Sequence, residues 1–171
     1  MPNFYTFRPA DGNENAASWQ AALNLNAPSA FVLSRQGLDP LAKGEFGEVG
    51  NGAYLLSSAK DAKITFIASG SEVSLCVKAA ALLAEQGIGA NIVSAPCFDL
   101  LCEQPAEYVA RILDKNTTII AVEAATGYEL YKFADAVYGM NSFGASGKAN
   151  ELFDHFGFTP QKLANFASEL I

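Results

Sequence analysis

The stretch Ala30-Phe31-Val32-Leu33-Ser34-Arg35 ends an apolar run on a guanidinium, and the nearest downstream carboxylates are Asp39 and Glu45. Arg35 therefore reads in one of two ways: a solvated strand end, or a charge held for an anion that the chain does not supply. A planar, permanently charged fork suits a phosphate, which it grips through two parallel hydrogen bonds. Glu123 closes another apolar run, at the end of a strand where open α/β sheets place ligands. A structural or interface hydrogen bond explains it at least as well. "IASGSEV" (67–73) sits at a strand-to-helix turn, but Gly70 stands alone and the next glycine is Gly87, so the dinucleotide pattern is not met. "SFGASGKA" (142–149) fails as a phosphate loop, because Ser142 and Ala149 occupy the positions that need Gly and Ser or Thr. His155 is the only histidine, and it reads as a surface residue against a helix C-terminal dipole rather than a metal ligand. Cys76, Cys97 and Cys102 fit neither a disulfide framework nor a zinc site, and are expected to be reduced packing residues. No complete set of catalytic groups is visible.

The elements that would position these groups alternate. "NFYTFRP" reads as a short strand stopped by Pro9. Asp11 and Glu14 then form a D-x-x-E capping box on a helix carrying Ala16, Trp19 and Leu23 on one stripe. "AFVLS" is the next strand, which completes a strand–helix–strand crossover unit. Residues 36–52 hold five glycines and no period, so a domain boundary is placed near Gly44. Beyond it, "GAYLL" reads as an edge strand, and "ITFIA" (64–68) as a strand covered on both faces. Ser69 and Glu72 form an S-x-x-E box before a helix marked by Val73, Cys76, Val77, Ala80 and Leu83, with Gly87 past its end. "ANIVSA" (90–95) and "TTIIAV" (117–122) are further strands, with a short helix near 105–113 between them. Leu130, Phe133, Ala134 and Val137 mark another helix, and one more begins near Lys148. Thr159-Pro160 opens the last, with Leu163, Phe166, Ala167 and Leu170 on its stripe. This alternation predicts an α/β layered fold with a mostly parallel sheet.

With 171 residues, half of them hydrophobic, the chain can bury a substantial core. A formal charge of −7 argues against nucleic acid and against an anionic membrane surface. No apolar run approaches the roughly 20 residues of a membrane span, and "MPNFYTFRPADG" lacks the regions of a signal peptide. A cytoplasmic protein is expected.

Several stretches together resemble the C-terminal part of transketolase, most nearly the bacterial members. They are "FRPADGNEN", "PSAFVLSRQ", "NGAYLL", "ASGSEVSLC", "VSAPCFDL", "VEAATGYELYKFAD" and "SFGASGKANELFDHFGFT", in the family's order over essentially the whole chain. The resemblance implies that residues 1–44 close a pyrimidine-binding α/β domain. Residues 45–171 would then form the C-terminal domain, a three-layer α/β/α unit. It implies a homodimeric enzyme that moves a two-carbon ketol unit from a ketose phosphate to an aldose phosphate, using thiamine diphosphate and a divalent metal (Mg or Ca). It also implies that Arg35, in "LSRQ", binds the phosphate of the sugar substrate. The parts that hold cofactor and metal in the family lie upstream of anything present here, and Met1 reads as an internal methionine of a longer chain. By itself this portion is expected to be inactive and to bind neither group. A standalone assembly module, or one chain of a split enzyme, would carry the same stretches.

Overall fold

Three apolar strands lie at the centre, each needing cover on both faces. They are β4 (Ile64–Ala68), β5 (Ala90–Ser94) and β6 (Thr118–Glu123). The structure is a computed structural model that describes residues 2–41 and 46–171. The boundary placed near Gly44 lies outside the described residues. Two further strands, β3 (Tyr54–Ser57) and β7 (Ala136–Gly139), complete a sheet of order β3-β5-β4-β6-β7. Only β3 runs antiparallel, and it lies at an edge as expected.

Side-chain alternation along the strands builds two cores. Ile64, Phe66, Ile120 and Val122 pack beneath α2 (Ser71–Glu85) and α6 (Pro160–Ser168), against Cys76, Leu83 and Leu163. Ile67, Val93, Ile119 and Ala121 face the other way, against Leu101 of α3 (Phe98–Cys102) and Ile112 of α4 (Ala106–Ile112). The result is three layers, helices on both faces of a mainly parallel sheet. Thr159 caps α6 with Pro160 in its first turn. Gly87, at φ 77, ends α2 in a Schellman turn, in which Ile88 donates to the Leu83 carbonyl and Gly87 to that of Ala84. α5 (Ala149–His155) starts at Lys148 and ends on the exposed His155, as read from the sequence.

Two expectations fail here. Leu130, Phe133, Ala134 and Val137 do not share a helix: a 3₁₀ helix spans Tyr128–Lys132, and Val137 lies in β7 beside Ala121. All four still pack on the same core. Helical spacing found the buried face, but the backbone leaves the helix where Asp135 exchanges bonds with Ile119 through both its amide and its carboxylate. The S-x-x-E box is not formed either. α2 starts one residue later, on Gly70 at φ 57, with no side chain capping it. The helix α3 was not anticipated, since five residues are too few to show a period.

The amino-terminal segment forms its own layer. β1 (Tyr5–Phe7) and β2 (Ser29–Phe31) pair in parallel across α1 (Gly12–Asn24), the arrangement a crossover unit requires. Asp11 caps α1 by accepting the Glu14 amide hydrogen, as the box predicts. Glu14 does not complete the box: its carboxylate accepts from the Ala10 amide, from Tyr54 Oη at 2.9 Å and from Ser94 Oγ at 2.5 Å. It is 0% exposed, and α1 is thereby tied to β3 and β5. The expected apolar stripe of α1 is not its buried face, which is formed by Glu14 and Ser18. Leu23 is exposed, and Trp19 stacks on Phe31 at a 4.3 Å centroid distance.

Burial raises the pKa of Glu14 above its ordinary 4.5, outweighing the hydrogen bonds that favour the carboxylate. The folded state therefore holds this proton more tightly than the unfolded chain. The stability contributed is full below about pH 4.5 and is lost as pH rises through the raised folded value. Glu14→Gln should retain the fold, with Oε1 on the Ala10 amide and Nε2 donating to Tyr54 or Ser94. It should also flatten the decline of urea stability with pH relative to the unsubstituted chain. Glu14→Leu leaves three donors unpaired and should cost about 3 kcal/mol or more in the same measurement.

Candidate functional site

The carboxyl ends of β4, β5 and β6 open on a crevice of about 360 Å³ lined by Ser69, Ala95, Glu123, Asp99 and Lys132. β4 and β6 are neighbours, yet the chain leaves β4 for β5 on one side and leaves β6 for β7 on the other, which makes their carboxyl ends the switch point at which open α/β sheets bind ligands. Glu123 lies there, as its sequence position suggested. Its partner comes from the chain itself: Arg8, one residue beyond β1, donates Nη1 to Glu123 Oε2 and brings Nη2 to 3.5 Å from Glu72 Oε2. Glu72, 1% exposed, also accepts from Ser71 Oγ at 3.0 Å and from the Ala124 amide at 3.2 Å. Ser69, expected to cap α2, points its hydroxyl at Glu123 instead. The backbone adds to the tie: the Arg8 amide donates to the Pro96 carbonyl at 2.7 Å, and the Gly70 amide donates to the Arg8 carbonyl at 2.9 Å. Of the two readings of Glu123, the structural hydrogen bond fits this geometry.

Arg8 was missed in the sequence although it stands where Arg35 does, just after an apolar run. Their surroundings differ completely. The strand read over 30–34 stops at Phe31; Val32 makes the last ladder bond, donating to the Phe7 carbonyl at 2.9 Å. Beyond Phe7, Pro9 has no amide hydrogen to carry the ladder further. Val32 and Leu33 are exposed, so the run is not buried, and Arg35 lies at a bend rather than on a rigid strand end. Arg35 is exposed, and among the described residues no carboxylate pairs with it. The structure brings Arg8, Glu72 and Glu123 together and leaves Arg35 apart from them.

Cys76 and Cys97 are buried, and burial pushes their thiols up, that of Cys97 to about 11. Cys102 departs from expectation: it is exposed, with Lys132 Nζ 3.1 Å from its sulfur. A wider cleft of about 510 Å³ has Met140, Phe143, Leu152 and Phe156 among its walls and no ionisable side chain. Among the described residues no three His, Cys, Asp or Glu are grouped to hold a metal ion. Among them, too, no helix is long and apolar enough to cross a membrane.

A mainly parallel sheet layered between helices, with an arginine from the preceding crossover unit at its switch point, defines a three-layer α/β protein. The family described as "Transketolase-like TK C-terminal domain" matches residues 52–159, and the chain belongs to the transketolase family. Transketolase 1 of Saccharomyces cerevisiae is 41% identical over 172 residues, spanning 100% of this chain and 25% of that protein. A transketolase of Cereibacter sphaeroides is 40% identical, covering 100% of this chain and 27% of its own length. The crystal structure of transketolase from Campylobacter jejuni superposes with a TM-score of 0.91 at 55% identity, over 97% of this chain and 26% of that one. That of a Pichia stipitis transketolase in complex with sedoheptulose-7-phosphate gives 0.93 at 38%, over 98% and 25%. The chain thus spans about a quarter of the length of the relatives it matches.

Arg8→Ala would leave two adjacent carboxylates without their cation. Removing one partner of a largely buried pair should cost about 3 kcal/mol in denaturant unfolding at neutral pH. Burial already raises the pKa of Glu72, with Glu123 adding to it and Arg8 opposing. In the variant, stability should therefore recover as pH falls toward 4.5 and the folded state takes up protons. Adding Glu72→Gln should restore part of the loss at pH 7, with a coupling energy of about 1 kcal/mol or more.

Proposed function

We propose that this chain is the C-terminal part of a transketolase, in which Arg35 binds the phosphate of the sugar substrate. The observation that carries the reading is an exposed guanidinium with no carboxylate partner among the described residues, in a chain of this family. A dianionic phosphate completes the hydrogen-bonding capacity that Arg35 leaves unused. The Pichia stipitis relative, solved with a sugar phosphate, supports that class of ligand. The reaction is transfer of a two-carbon ketol unit from a ketose phosphate to an aldose phosphate. Thiamine diphosphate supplies the carbanion-stabilising chemistry. That cofactor and its divalent metal belong to the rest of the enzyme, a cytoplasmic homodimer. This chain's part is to hold the far end of the substrate, so that remote binding energy serves the reacting end.

The division into two domains has its own support. A parallel sheet of two three-residue strands is not a self-sufficient unit. Around it Trp19, Leu23, Val32 and Leu33 are exposed, a concentration of apolar surface suited to the remainder of a larger domain.

In the assembled enzyme, Arg35→Ala should raise KM for phosphorylated sugars roughly 30- to 100-fold, the worth of about 2–3 kcal/mol for a charged hydrogen-bonded contact. Unphosphorylated substrates should be nearly unaffected, and an equal rise for both would remove Arg35 from the phosphate site. Calorimetry of the isolated chain with thiamine diphosphate and Mg²⁺ should give no binding heat. Saturable micromolar binding would place part of the cofactor site here instead.

A further inference from the structure

A helix cap needs one acceptor, yet Asp11 uses both of its oxygens. Oδ1 accepts from the Glu14 amide at 2.8 Å, which completes the cap of α1. Oδ2 accepts from the amide of Leu41 at 2.9 Å, thirty residues further along the chain. Asp11 is buried, so neither bond competes freely with water. The second bond has no role in the helix. Its effect falls on the stretch between Val32 and Leu41, which contains Arg35.

Among the described residues, hydrogen bonds hold that stretch only at its ends, while residues 36–39 share a cleft with Ser71, Ser74 and Lys78 of α2. Val32 donates to the Phe7 carbonyl, and Leu41 donates to Asp11. Between them, residues 33–40 make no hydrogen bond with any described residue. The Leu41 side chain packs on the core beneath α2 and α6, which seats the far end. Ser34 and Gln36, on either side of Arg35, line a cleft of about 200 Å³ together with Asp11, Gly12 and Asn15 of the first turn of α1. The Arg35 stretch therefore lies over the turn that Asp11 caps.

We propose that Asp11 is a positioning residue for Arg35: its second oxygen closes the Arg35 stretch onto the start of α1 and sets where the guanidinium meets the substrate phosphate. This rests on the reading of Arg35 as the phosphate-binding group. An unfastened stretch visits more conformations, and the ordering cost is then met on binding. That cost falls on binding of the phosphate end; once the stretch is ordered the bound complex is the same, so the step at the other end proceeds unchanged.

Asp11→Ser separates the two functions of the side chain. Serine is also a favoured cap and can accept the Glu14 amide hydrogen, but it has no second oxygen for Leu41. In the assembled transketolase, KM for a phosphorylated ketose should rise about five- to tenfold, as expected for restoring freedom to one or two side chains. The kcat should stay within twofold, and KM for an unphosphorylated ketol donor should not change. Hydrogen exchange of the Leu41 amide should speed up. A second variant leaves Asp11 in place: one glycine inserted between Gly37 and Leu38, where Gly37 has open space around it, lengthens the fastened stretch. It should give the same split in KM. If neither variant changes KM for the phosphorylated ketose while Arg35→Ala does, the positioning role is overturned and the reading of Arg35 stands. Equal KM rises for both substrate classes would reduce Asp11 to a structural cap. Should Arg35→Ala itself fail to discriminate, both the reading and the inference fall.

Discussion

A carboxylate withdrawn from water must find donors nearby, and the molecule is arranged around how Glu14 finds them. Its three donors come from three places: the turn before α1, strand β3 and strand β5. Their geometry fixes the crossover unit against the edge of the five-stranded sheet more narrowly than apolar contact would, because hydrogen bonds are directional. Arg8 completes the fixation at the sheet's carboxyl end, where its guanidinium compensates two carboxylates. Between these ties lies a small apolar contact of Phe7, Cys97 and Leu100. The seam between the two parts thus combines two polar ties with an apolar contact. Such a joint resists sliding.

Much of the fold could be read from the sequence because its strands are extreme. β4 and the run Ile119–Val122 of β6 hold consecutive apolar and β-branched residues, and only a strand covered on both faces tolerates that. Gly87 and Thr159-Pro160 marked helix ends through backbone geometry that few other residues satisfy. Where reading failed, tertiary bonds outweighed the local pattern. Leu130 to Val137 have helical spacing, yet Asp135 is claimed by Ile119 of the neighbouring strand, which no local pattern encodes. Ser69 and Glu72 have the spacing of a capping box, but their side chains are engaged with Glu123 and Arg8.

The site shows the same limit more sharply. Arg8 and Arg35 look alike in sequence, each a cation following an apolar run. What separates them is the distribution of carboxylates in space, with Glu123 lying 115 residues from Arg8. For Arg35 the residues alone left two readings open, and only the resemblance carried by the surrounding stretches implied a phosphate. Asp11 was recognised as a cap, and its second bond was invisible because Leu41 carries no side-chain signal for it. A backbone amide as partner leaves no trace in residue type.

The sequence separation of the Arg8–Glu123 pair also bears on synthesis. Within this chain Arg8 is made before the strand that carries Glu123, which follows 115 residues later. At translation rates of roughly 5–20 residues per second, the interval is on the order of ten seconds. Tyr54 and Ser94, which Glu14 requires, appear earlier within that window. During it Arg8 has at most one of its two carboxylates, since Glu72 is made before Glu123. The two ties are therefore made in order, with that of Glu14 available first and that of Arg8 to Glu123 closed only when β6 is complete.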